Sequence, residues 1–129
     1  MIRVFRPVLG PALLLWTALA PVSPRAAAAH AIVLASSPTH DAVLAHAPGQ
    51  VTLRFNSKIE KRFTRVTLAA GDQAPAPVAL PAGEDAGPPD RLVIPLRPLR
   101  PGVYVLRYRV LAVDGHITEG ALRFTVSAE

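Results

Sequence analysis

Asp114 and His116 stand two residues apart, a spacing that on extended backbone projects both side chains to the same side. Gly115 between them lets the backbone bend, so that a carboxylate and an imidazole can converge on one ion. Alone, an Asp-Gly-His tripeptide reads better as a solvated turn. His30 gives the pair a partner. It follows residues 26–29, four alanines of the kind at which a secretion signal is cut. A cut after Ala29 makes His30 the first residue, and its free α-amine and imidazole then close a six-membered chelate ring around a metal ion. No internal histidine can do this. Two nitrogens from His30, one from His116 and an oxygen from Asp114 form a tetragonal donor set that suits Cu(II), the tightest binder of the divalent series. Zinc accepts the same ligands but prefers a tetrahedron. The chain has no cysteine, which excludes thiolate sites such as the His/Cys blue-copper type.

The cut depends on the first 29 residues. Arg3 and Arg6 precede an apolar run over residues 8–20, and Pro21, Pro24 and small residues follow. That is the order of a cleaved secretory signal. The run is short of the ~20 residues a membrane span needs, which argues against an uncleaved anchor. Cuts after Ala28 or after His30 also satisfy the small-residue rule, but only the cut after Ala29 exposes histidine. Arg3, Arg6 and Arg25 leave with the signal, so 11 basic side chains face 9 acidic ones and the net charge falls from +5 to +2. The high isoelectric point is therefore no argument for nucleic acid. The 100 residues from His30 onward are enough for one domain, which must hold together by packing because it has no disulfides.

The elements that must position these groups read as short strands. Residues 30–36 are apolar and β-branched, and residues 39–49, with Asp41, Pro48 and Gly49, read as a loop. Val51, Leu53 and Phe55 alternate with polar residues, as do Val66 and Leu68 within residues 64–69. Between them, residues 58–62 read as a basic turn. Residues 71–89 are rich in Ala, Pro, Gly and Asp and read mostly as loop, with a weak strand at 78–80. Leu92, Ile94 and Pro95 predict a strand at an edge or one that ends early. Tyr104, Leu106, Tyr108 and Val110 face one way and Arg107 and Arg109 the other; Leu122, Phe124 and Val126 repeat this around Arg123. Six to seven or more such strands predict an all-β fold, a single antiparallel β-sandwich.

The pieces together resemble one family, the CopC copper-resistance and copper-homeostasis proteins of bacterial periplasms. The matching stretches are the signal ending before His30, AIVLASSP after it, VTLRF at residues 51–55, PGVY at 101–104 and VDGHITEGALRF at 113–124. The resemblance implies a cupredoxin-like, immunoglobulin-like sandwich that binds one Cu(II) per chain through His30, Asp114 and His116. It also implies a periplasmic location and a CopD-type inner-membrane transporter as partner; the expectation is a carrier or donor with no catalytic residues that works as a monomer. Some members add a methionine-rich Cu(I) site, which a processed chain without methionine does not support. Certain relatives place a ligand carboxylate just after the strand at 51–55, where this chain has Asn56, Ser57 and Lys58.

Other residues have plainer readings. His40 and His46, six apart with Asp41 beside the first, would make a weak accessory metal site but read better as solvated loop histidines. Glu119 would bond to a ligand or cap a turn. Lys58, Lys61, Arg62 and Arg65 suggest a basic docking face, or simply a solvated strand end. Two other functions compete with copper carriage. A metal-free immunoglobulin-like module treats Asp114 to His116 as a turn only. A copper monooxygenase uses a comparable histidine brace but needs an aromatic surface to grip its substrate. The processed chain has no tryptophan, and Tyr104 and Tyr108 fall in the inward pattern.

Overall fold

The computed structural model describes residues 30–128, and the expected signal segment, residues 1–29, lies outside them. Alternating sequence produces eight strands: β1 Val33–Ser37, β2 Ala42–Leu44, β3 Gln50–Phe55, β4 Arg65–Ala70, β5 Ala76–Pro77, β6 Arg91–Pro95, β7 Gly102–Leu111 and β8 Ile117–Val126. Short turns of 3-10 helix lie at Lys61–Phe63 and Gly83–Ala86. One sheet has the order β1-β3-β6 and the other β2-β8-β7-β4-β5. Their facing sides carry Val51, Leu53, Phe55, Leu92 and Ile94 from the first and Leu106, Val110, Leu122 and Phe124 from the second, all buried. Each such side chain stabilises the fold by about 1.5–3 kcal/mol, and no cross-link supplements them.

The all-β sandwich is as expected, and β6 does lie at a sheet edge and stop at Pro95. Three details differ. Residues 42–44, read as loop, form β2, which pairs parallel with β8, so the sandwich is not wholly antiparallel. Asp41 makes this pairing: it takes φ +62°, its N–H donates to the Arg123 carbonyl at 2.7 Å, and its carboxylate accepts from Arg123 Nε at 2.6 Å. A three-residue strand has too little alternation to show in sequence. The weak strand expected at 78–80 lies two residues earlier, as β5 against β4. The final strand, read from Leu122, begins at Ile117, because its first half trades a core face for a hairpin pairing with β7.

Gly120 lies directly opposite Tyr108 in that hairpin, and the tyrosine ring covers it. A Cβ at residue 120 would run into Tyr108 Oη and Cζ. The ring cannot easily retreat, since it packs edge-on against Phe55 with centroids 6.0 Å apart. Gly120→Ala is therefore expected to destabilise the domain by about 1–3 kcal/mol in a denaturant titration. Adding Tyr108→Leu should recover much of that loss, and an unchanged midpoint for Gly120→Ala would contradict the packing described.

Candidate metal centre

His30 is exposed at the start of the described chain, but the residues after it are fixed. Ala31 is fully buried. Ile32 is held by Asn56 in both directions: Ile32 N–H donates to Asn56 Oδ1 at 2.7 Å, and Asn56 N–H donates to the Ile32 carbonyl at 2.9 Å. This clamp joins the chain two residues past His30 to the residue that follows β3. In sequence, Asn56 shows only as the point where the alternating run over residues 51–55 stops. Its positioning role leaves no local pattern, because the bond spans 24 residues.

His116 arrives from the opposite direction, at the tip of the β7–β8 hairpin. The strands pair from Gly102 with Val126 to Leu111 with Ile117, and a tight turn closes them. Ala112 N–H donates to the His116 carbonyl and Gly115 N–H to the Ala112 carbonyl, both at 2.9 Å. Gly115 holds φ +89°, a conformation that side chains with a Cβ resist. The tip rests on the segment following Asn56. Ile59 bridges to Ala112, and Val113 N–H donates to the Lys58 carbonyl at 3.2 Å. Residues 56–59 thus anchor both histidine-bearing segments.

The two rings meet as a result, with centroids 4.8 Å apart and planes at 74°. Asp114 turns both oxygens to His116: Oδ1 accepts its backbone N–H at 3.0 Å, and Oδ2 lies 3.1 Å from Nδ1. A carboxylate on Nδ1 fixes the ring's orientation. The His116 backbone N–H, helped by the His116 and His30 rings, holds the Asp114 carboxyl below the usual carboxylate range. It therefore stays ionised well into acid. Among the described residues, no three His, Cys, Asp or Glu side chains stand together as a ready metal cage. Two rings are in contact and the carboxylate is turned to one of them.

The other candidates fall elsewhere. His40 Nδ1 accepts the Arg123 backbone N–H at 3.2 Å, and its Nε2 faces Asp41 Oδ2 at 3.5 Å. Arg123 is seven residues along β8 from His116, roughly 24 Å at strand rise. His46 is exposed. Glu119 neither caps a turn nor reaches the histidines; it pairs across the sheet with Arg109, Nε to Oε1 3.2 Å. Lys61 leaves the basic cluster as well, donating to the carbonyls of Ala86 and Gly87, and burial lowers its pKa. A hollow of about 940 Å³ beside β5 and the β6–β7 connection is lined by Leu96, Leu99, Tyr104 and neighbours and touches no histidine. Donor chemistry therefore outweighs concavity in locating the site. Among the described residues no helix is long and apolar enough to cross a membrane.

Comparison with known proteins agrees with this architecture. A family model described as the CopC domain matches residues 33–127. Protein YobA of Escherichia coli K12 is 32% identical over 99 residues, covering 76% of this chain and 79% of its own. The crystal structure of CopC from Methylosinus trichosporium OB3b superposes with a TM-score of 0.66 at 30% identity, over 76% of this chain and 94% of that one. PcoC, a methionine-rich copper resistance protein of Escherichia coli, superposes with a TM-score of 0.60 at 30% identity, over 77% of this chain and all of its own. With a domain match spanning all eight strands and two solved relatives of the same architecture, the chain belongs to the CopC family of copper resistance proteins.

Proposed function

We propose that this protein is an exported, periplasmic carrier that takes one Cu(II) per chain, held by His30, Asp114 and His116. The observation that carries the reading is the contact of the His30 and His116 rings at 4.8 Å, with a carboxylate already on the second ring. Signal removal after Ala29 would add the α-amine, giving three nitrogens and one oxygen, a set matched to Cu(II). Copper is cargo here, to be received and passed on, and the family resemblance suggests a CopD-type membrane transporter as recipient. The only methionine is Met1, so the methionine richness named for PcoC has no counterpart in the processed chain.

The division of work follows from the contacts. The Asn56 clamp holds the amino-terminal segment at the hairpin tip, so metal binding does not have to order it. Asp114 supplies negative charge that acid removes late. Falling pH should therefore release copper by protonating the amine, whose ordinary pKa is about 8, before it neutralises the carboxylate.

The test is electron paramagnetic resonance of the Cu(II)-loaded chain beginning at His30. Hyperfine structure from at least two nitrogens is expected. His116→Ala should remove one nitrogen and weaken binding by about tenfold or more, ~1.4 kcal/mol. A spectrum without nitrogen coupling, or one that His116→Ala leaves unchanged, would rule the proposal out.

A further inference from the structure

The outer face of the five-stranded sheet carries positive charge that the described residues do not fully balance. Arg65, Arg107, Arg109 and Arg123 all point outward from β4, β7 and β8 and are exposed. Two of them have carboxylate partners, Arg109 with Glu119 at 3.2 Å and Arg123 with Asp41 at 2.6 Å. Arg65 does not: its guanidinium donates to the carbonyls of Thr64 and Arg62, at 3.0 and 3.4 Å. Among the described residues, Arg107 meets no carboxylate either. Moreover Arg65 and Arg109 stand directly opposite each other in the ladder, where like charges are destabilising.

Apolar groups continue this band toward the hairpin tip. Phe63 is 49% exposed and Ile117, next to His116, is 51% exposed. They line a hollow of about 250 Å³ with Arg65, Arg109 and Leu111. It adjoins one of about 440 Å³ over Arg65, Thr67, Arg107 and Arg109. The Arg62 guanidinium stacks 4.6 Å from the Phe63 ring centroid, keeping that ring on the surface among cations.

We infer that this face is a docking surface for an acidic protein segment bearing an exposed apolar side chain. Carboxylates would answer Arg65 and Arg107 and relieve the Arg65–Arg109 repulsion, while the apolar side chain would enter the hollow between Phe63 and Ile117. The partner would then sit beside the hairpin that carries Asp114 and His116. This placement does not depend on copper, so it can be tested with metal-free protein.

The test titrates the chain beginning at His30, without metal, with a synthetic glutamate-rich peptide containing a central pair of leucines, followed by amide NMR shifts. Shifts are expected at Phe63, Arg65, Arg107, Arg109 and Ile117 and should vanish in half-molar salt. The double variant Arg65→Glu, Arg107→Glu should raise the peptide Kd at least about tenfold and leave Cu(II) binding unchanged. Loss of fold is not the expected outcome, since the carboxylate introduced by Arg65→Glu would face Arg109 as an ion pair; an unaltered thermal midpoint checks this. Shifts centred elsewhere, or equal affinity in the double variant, overturn the inference. Binding to phosphatidylglycerol vesicles without binding to the peptide also overturns it, in favour of a membrane surface.

Discussion

The chain that keeps residues 26–29 ahead of His30 should bind Cu(II) at least about a hundredfold more weakly than the chain beginning at His30, ~2.7 kcal/mol in a competition titration. Both forms contain the same four histidines and the same carboxylates. They differ in whether the α-amine belongs to the residue whose ring already touches His116. An amine and an imidazole on one residue bind as a chelate, the second nitrogen arriving at high effective concentration once the first is bound. Moving the amine four residues away removes that advantage, while the Asn56 clamp and buried Ala31 hold the fold as before. Equal melting temperatures for the two metal-free forms would show that only ligation changed. Equal copper affinities would sink the chelate and leave His116 with the other histidines as the ligands.

A second large effect is expected at Phe55, which is 1% exposed at the end of β3. Phe55→Ala should destabilise the domain by about 3–5 kcal/mol, measured as a lower denaturant midpoint at unchanged slope. The ring fills space between the sheets and meets Tyr108 edge-on, so its removal leaves a cavity that a β-sandwich cannot easily collapse. Domains of this size are stable by only about 5–15 kcal/mol, and this one has no disulfide to limit the loss. Phe55 also precedes Asn56, and its N–H donates to the Asp90 carbonyl at 2.8 Å, so the clamp on Ile32 hangs from this packed position. A loss below about 1 kcal/mol would mean that the ring is not the wedge described.

The two effects come from different levels of organisation, and the same division runs through the rest of the molecule. Sequence alone carried the sandwich, because an alternating face is written residue by residue: Tyr104, Leu106, Tyr108 and Val110 specify the inner side of β7 whatever pairs with it. It also carried the chemical identity of the histidine and Asp-Gly-His groups and, by resemblance, the family. Tertiary structure decided what lies beside what. The Asn56 clamp, the docking of the hairpin tip on Lys58 and Ile59, the parallel pairing of β2 through Asp41 and Arg123, and the Tyr108 ring over Gly120 all join residues far apart along the chain. Such contacts depend on strand order and register, which local alternation does not encode. The four outward arginines look alike in sequence; only the ladder shows that, among the described residues, two are answered by carboxylates and two are not.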